Sequence, residues 1–141
     1  MTSEATIRAY RLSDYAAVKQ NLVEGGLYFD SMDSERSYQV KVGRDPESIL
    51  VAELENKVVG SAMYVEDGWL AMIFRLSVNK QYRNRGIGRM LMKEAEDKLR
   101  HKGYKEANIW VDEKNEKLHS YYQNQGYRKG SCYRWMYKNL K

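Results

Sequence analysis

The sequence predicts an α/β fold in which a mixed, mostly antiparallel central sheet is flanked by helices. Three observations point there. Two alternating, β-branched runs, Ser48 to Leu54 and Val58 to Val65, are joined by the short turn Glu55-Asn56-Lys57, and a third run, Trp69 to Val78, follows an Asp67-Gly68 turn. The period then changes: Ile87, Leu91, Ala95 and Leu99 repeat at i+4 between charged faces, the pattern of a long amphipathic helix. A long helix between strands is a crossover, which implies parallel pairing somewhere in the sheet.

Along the chain, Ile7 to Tyr10 reads as a short strand. Ser13 is placed to cap a helix that runs to about Glu24, with Asp14 favourable in its first turn and Gly25-Gly26 as its stop. Leu27 to Asp33 is irregular, and Ser34 caps a second helix to about Val42, ended by Gly43. Gly103 closes the long helix, after which Asn108 to Val111 is expected as a strand, Asn115 to Gln125 as a helix ended by Gly126, and Tyr133 to Lys138 as a last strand. With one proline, Pro46, no Ser/Pro-rich tract and no repeat, residues 1–141 read as a single domain. A chain of this size buries about two-thirds of its unfolded surface, enough for a core without staples.

Several function classes fall away on composition. The single Cys132 excludes an intramolecular disulfide framework, and with His101 and His119 alone beside it no metal-ligand spacing exists, so no metal is expected. Apolar stretches such as Leu70 to Phe74 are far below the ~20 residues of a membrane span, and Met1 to Arg11 lacks the apolar run of a signal peptide. A cytoplasmic protein is the expectation. The net charge of +5 divides unevenly: residues 1–78 carry 8 Lys+Arg against 12 Asp+Glu, which is −4, and residues 79–141 carry 16 against 7, which is +9. Such asymmetry points to an anionic partner for the second half.

The stretch Arg83-Asn84-Arg85-Gly86-Ile87-Gly88-Arg89 lies between a strand and the long helix. Its glycines let the backbone turn tightly and remove Cβ atoms that would hold a phosphate away. The first helical N–H groups lack intrahelical acceptors and sit at the positive end of the macrodipole, a combination that suits a pyrophosphate. Arg83, Arg85 and Arg89 add charge. Leu91 stands where a dinucleotide fingerprint needs Gly or Ala, and no Gly-Lys-Ser/Thr follows, so neither a Rossmann site nor a P-loop is supported. Alone, a Gly-x-Gly at a helix start is also compatible with a tight turn and nothing more.

A second motif raises its value. Arg83, Gly86 and Gly88 stand as Arg/Gln-x-x-Gly-x-Gly/Ala, and 29 residues after Gly86 come Asn115, then Tyr122 seven residues on, then Gly126-Tyr127. In these two linked motifs the sequence resembles the GNAT superfamily of N-acetyltransferases, over about Ser48 to Lys138. Departures are small: Tyr127 where Phe is usual, Leu118 where Ala is common, Lys80 where Pro is frequent.

The resemblance implies a small GNAT domain whose sheet splays at an acetyl-CoA site, acetyl-CoA being the co-substrate. Backbone groups of Leu76, Ser77 and Val78 would bind the pantetheine arm as an added strand, those of Asn84, Arg85, Gly86, Ile87, Gly88 and Arg89 the pyrophosphate beside Arg83, and Asn115 would contact the cofactor further along. An amine acceptor would attack the thioester directly, with Tyr122 as general acid to the leaving thiolate. A thiol pKa of about 8.5 makes protonation by an ordinary phenol moderately costly. The base is left open among Glu53, Glu66, Asp67, Asp112 and a water chain, because Trp110 stands where ribosomal-protein N-terminal acetyltransferases of the superfamily have a Glu.

Other readings stay beside this one. A non-catalytic acyl-CoA sensor would keep Asn84 to Arg89 and do no transfer, although Tyr122 favours the enzyme. Arg128, Lys129, Arg134 and Lys138 interleaved with Tyr127, Tyr133, Trp135 and Tyr137 could form a nucleic-acid face, but half-exposed strands show the same alternation more often. Homodimerisation is common in the superfamily without a residue here to support it. Asp30, Asp33 and Glu35 beside Tyr28 and Phe29 make an acidic, aromatic loop that would suit a cationic acceptor amine or be simply solvated. His119 reads as a surface residue and Cys132 as a buried or neutral thiol.

Overall fold

The computed structural model describes residues 4–141, so the first three residues of the Met1 to Arg11 reading lie outside it. Two compact units result, Met1–Ile109 and Trp110–Lys141.

The first unit is built on four antiparallel strands in the order β1 (Thr6–Ala9), β2 (Ile49–Leu54), β3 (Lys57–Glu66) and β4 (Ala71–Val78). Helix α1 (Tyr15–Glu24), the single turn α2 (Asp30–Asp33) and helix α3 (Glu35–Arg44) separate β1 from β2, and helix α4 (Ile87–His101) follows β4. The β2–β3 hairpin turns on Glu55 and Asn56, both with φ near +60°, the left-handed pair that matches strand twist. Ser34 caps α3 by accepting from the Ser37 N–H, as expected from sequence.

Alternation sorts the side chains onto two faces. Ile49, Val51 and Met63 join Tyr10, Val18, Leu22 and Tyr38 in a core under α1 and α3. On the other face, α4 presents Ile87, Leu91, Met92, Ala95 and Leu99, all buried. Gly60 lies on the α4 side: a Cβ there would sit 3.3 Å from Leu91 Cδ1 and 2.9 Å from the Ser77 carbonyl. Its neighbour Ser61 pairs with Ser77, whose hydroxyl donates to the Asn21 carbonyl of α1. One edge is tied by Arg8, which bonds Asp14 at 2.8 and 3.0 Å and Glu53 at 2.7 Å. Burial alone would lift the Asp14 carboxyl, but the Arg8 guanidinium and the Arg11 N–H hold it below its usual range.

The second unit has one helix, α5 (Glu116–Gln123). The two strands expected after α4 are corrected. Asn108 makes an isolated parallel bridge to Met72 and no strand follows it, and 128–141 has no regular structure, with Tyr133, Trp135 and Tyr137 largely exposed. Both segments have strand propensity, but a strand exists only through ladder partners, and the described residues give 133–138 none. Among the described residues no helix is long and apolar enough to cross a membrane.

The close approach at Gly60 gives a stability test. Gly60→Ala must separate β3 from β4 or displace Leu91, and it is expected to cost about 1–3 kcal/mol in chemical denaturation, as overpacking does. Unchanged stability would mean that the strands are not held this closely.

Candidate active site

Strand β4 has two unlike edges. Toward β3 it pairs Met63 with Phe74 and Ser61 with Ser77, so one extra residue is inserted between. Arg75 takes it up with φ +59, a left-handed conformation that costs a non-glycine residue about 1–2 kcal/mol and makes a bulge. The Asn79 N–H donates to the Val59 carbonyl at 2.8 Å, which fixes the parity of the ladder. Ser77 therefore faces Ser61 with its own N–H and C=O, and those of Leu76 and Val78 turn to the opposite edge.

That opposite edge is paired only at its start. Ile73 N–H donates to Asn108 O and Asn108 N–H to Ala71 O, at 2.9 and 3.0 Å. Past Ile73 no described residue continues a ladder, so Leu76 and Val78 offer strand-type hydrogen bonds. Of the three residues expected at this position, Ser77 is already committed, its backbone to β3 and its hydroxyl to α1. Val78 O accepts the Arg83 Nε at 2.9 Å, so Arg83 is folded back onto the strand end.

Beyond this edge the chain turns through Asn84 and Gly86, with φ +63 and +79, and α4 begins at Ile87 with Gly86 as its cap. No side chain caps α4, and its first intrahelical bond is from Met90 N–H to Gly86 O at 3.0 Å. The N–H groups of Ile87, Gly88 and Arg89 thus have no acceptor among the described residues, at the positive end of a 15-residue helix. Arg85 stacks over Tyr82, 5.2 Å from the ring centre, and Arg89 is exposed. These groups make a candidate anion cradle, continuous in sequence with the open edge of β4.

In the second unit Asn115 caps α5, its side chain accepting from Leu118 N–H at 3.0 Å, which leaves its amide hydrogens available. Tyr122 lies about two turns further along the same helix. Gly126, at φ +95, ends the helix, and Tyr127 N–H bonds back to Tyr122 O at 3.1 Å in the 6→1 pattern of a Schellman stop. The Tyr122 ring stands edge-on between Tyr121 and Tyr127, at 5.1 and 5.8 Å. Burial, with a contribution from Tyr121, pushes the Tyr122 hydroxyl up to about 12, so it is a neutral donor throughout the physiological range.

Carboxylates suggested as bases are engaged. Glu53 holds Arg8, Glu66 accepts from Tyr104, and Asp67 accepts the N–H groups of Trp69 and Leu70. Asp112 accepts the Lys114 N–H, and its carbonyl oxygen lies 2.9 Å from Nε2 of the half-buried His119. Cys132, expected buried or neutral, is exposed, 3.5 Å from Glu113. No group of His, Cys, Asp and Glu among the described residues could hold a metal ion.

Comparison with known proteins decides the family. The model of the acetyltransferase (GNAT) family matches residues 15–127. The chain belongs to the GNAT family. An acetyltransferase of Pectobacterium atrosepticum is 31% identical over 126 residues, covering 89% of each chain, and one of Yersinia enterocolitica is 32% identical over 121 residues, covering 86% of each. Among solved structures, Ard1 of Thermoplasma volcanium superposes with a TM-score of 0.79 over 90% of this chain and 84% of its own, at 20% identity. The PaiA N-acetyltransferase of Thermoplasma acidophilum, solved with coenzyme A, has a TM-score of 0.70 over 86% of this chain and 88% of its own, also at 20% identity. These two likenesses confirm the GNAT fold expected from the motifs.

Sequence reasoning missed Arg75. The run Ala71-Met72-Ile73-Phe74-Arg75-Leu76 carries one charge among apolar residues, and that was the available signal: a guanidinium there needs a buried partner. The partner is Asp33, only 2% exposed, whose Oδ1 lies 3.2 Å from Arg75 Nε. Asp33 is therefore not part of an acidic surface open to a cationic acceptor, as the loop composition suggested. Asp30 and Glu35 remain exposed.

Left-handed geometry at the cradle can be tested without any ligand. Gly86→Ala is expected to lower stability by about 1 kcal/mol, read from denaturant midpoints; an unchanged midpoint would show that Gly86 is not held at positive φ.

Proposed function

We propose that this GNAT protein is an acetyl-CoA-dependent N-acetyltransferase that moves the acetyl group directly to an amine, both units acting as one transferase domain in the cytoplasm. The observation that carries the reading is the continuity of an open strand edge at Leu76 and Val78 with the unpaired N–H groups from Asn84 to Arg89. A pantetheine arm carries amides that can extend a sheet edge, and a pyrophosphate at its far end matches a helix N-terminus. The bound cofactor would supply an activated thioester.

The chain's residues then have defined work. Leu76 and Val78 hold the arm in register, Arg85 and Arg89 add charge beside the cradle, and Asn115 has amide hydrogens free for a further contact. The acceptor nitrogen attacks the carbonyl carbon, the C–S bond breaks, and Tyr122 Oη donates its proton to the departing sulfur. The proton lost from nitrogen leaves to solvent, which also restores the Tyr122 proton. With the phenol near 12 and a thiol near 8.5, the transfer is uphill by roughly 5 kcal/mol. That lies within the about 13–17 kcal/mol barrier of an ordinary turnover.

Two results are expected. Acetyl-CoA at 100 times its dissociation constant should stabilise the protein by about 2.7 kcal/mol, visible as a raised melting temperature; no rise would remove both the transferase and an acyl-CoA sensor. Tyr122→Phe should leave that rise intact and lower CoA release by about 10²- to 10⁴-fold at saturating substrates. Because the Tyr122 hydroxyl stays protonated to about 12, its loss should produce no falling limb in kcat below about pH 10. A limb near pH 8 that vanished in Tyr122→Phe would overturn its assignment as the donor.

A further inference from the structure

The bulge in β4 places Arg75 beside Phe74, which packs against the core under α1 and α3. Its guanidinium is fixed from three sides. Nε bonds Asp33 Oδ1 at 3.2 Å, the group lies over the Phe29 ring at 5.6 Å, and Nη2 touches Met32 Sδ at 3.5 Å. Asp33 is itself immobilised, its Oδ2 accepting Phe29 N–H at 2.9 Å, its Oδ1 accepting Tyr38 Oη at 3.0 Å, and its carbonyl accepting Tyr15 Oη at 2.7 Å. This carboxylate satisfies only the Nε side of Arg75.

The other side is left over. Among the described residues nothing accepts from Nη1, and Nη2 meets only a thioether, a weak acceptor. The side chain is 17% exposed, and its terminal nitrogens are not among the buried atoms that lack a partner, so this pair reaches solvent and is open to an incoming acceptor. Two parallel N–H donors on a rigid plane match the two oxygens of a carboxylate or phosphate. Arg75 directly precedes Leu76, the first residue whose backbone faces the open edge, and its walls Phe29 and Met32 are more than half exposed.

We propose that Arg75 is the acceptor-reading residue: its terminal N–H pair binds an anionic group, carboxylate or phosphate, carried by the amine that is acetylated. The inference rests on the transferase reading and gives it a substrate class, small anionic amines in place of polyamines. Asp33 acts through Arg75 as a positioning residue.

Matched pairs provide the test. CoA release is measured with amino acids against their amides, and with amino-sugar phosphates against the unphosphorylated sugars; the pair showing discrimination identifies the anion. The anionic member is expected to win by about 10- to 100-fold in kcat/KM, the range of a charge-assisted hydrogen-bond pair. Arg75→Gln should reduce that preference to within about threefold while acetyl-CoA still raises the melting temperature. Because that variant leaves Asp33 buried without its cation, Asp33→Asn/Arg75→Gln is made in parallel and should show the same loss of preference. Equal use of both members of each pair, a preference that survives in the double variant, or turnover confined to uncharged and cationic amines would overturn the proposal. So would acetyl-CoA binding with no turnover of any anionic amine. Failure of acetyl-CoA to bind the unaltered protein would instead remove the transferase reading beneath it.

Discussion

From Phe74 to Ser77 is three residues of β4, while their partners Met63 and Ser61 are two apart on β3. A ladder has no place for the additional residue, so one peptide must leave the regular path, and Arg75 does so at positive φ. The displacement sets everything that follows on that strand. It determines that Leu76 and Val78 show their N–H and C=O groups to the unpaired edge, and that Ser77 reaches α1. It also brings Arg75 to the same side as Phe74, where Asp33 and Phe29 meet it. One inserted residue thus shapes both a strip of backbone suited to an extended ligand and a fixed cation beside it.

The same arrangement changes the meaning of charge in this chain. A balance of −4 in residues 1–78 suggests an acidic surface, but Asp14 is committed to Arg8, Asp45 accepts from Tyr64 and Lys102, and Asp33 is buried against Arg75. Charges paired at 2.8–3.4 Å inside or at the rim of a fold present little field to a distant ligand. What reaches solvent at the β4 bulge is the terminal end of a guanidinium. In the half with +9, Arg85 and Arg89 flank N–H groups that have no acceptor among the described residues, so side-chain charge and helix dipole act with the same sign. The sign of a region's total charge is therefore a poor guide to what its sites attract.

The parts of this fold that sequence reveals are those specified by local rules. The i+4 repeat of Ile87, Leu91, Ala95 and Leu99, the hairpin turn at Glu55-Asn56 and the Ser34 cap each depend on neighbours within a few residues, and each stands where expected. The turn at Gly86 and the helix start after it were legible because helix ends have obligatory unpaired N–H groups. Strands are different, since a strand exists only through its partner. The alternation of Tyr133, Trp135 and Tyr137 carries propensity but no ladder, and Asn108 stops at one bridge. The bulge was invisible for the same reason: register is a property of two segments, and no residue of β4 alone announces that Ala62 must face both Arg75 and Leu76.

The second motif shows what a sequence signature can encode when most of its members do no chemistry. Asn115 begins α5 by accepting from Leu118, and Gly126 ends it at a backbone angle that side chains resist. Tyr127 returns to bond the Tyr122 carbonyl and lays its ring against the Tyr122 ring. Fixed at both ends, an eight-residue helix has little freedom to rotate or fray, although a helix of that length is unstable alone. The spacing Asn115 to Tyr122 to Gly126 can thus be read mechanically, as start, payload and stop. Burial raises the Tyr122 hydroxyl to about 12, which makes it a weak acid and keeps it protonated at neutral pH. In the transfer proposed above the sulfur would leave as an anion, and there the second property is the one that counts: a donor would have to hold its proton until sulfur develops the charge to take it.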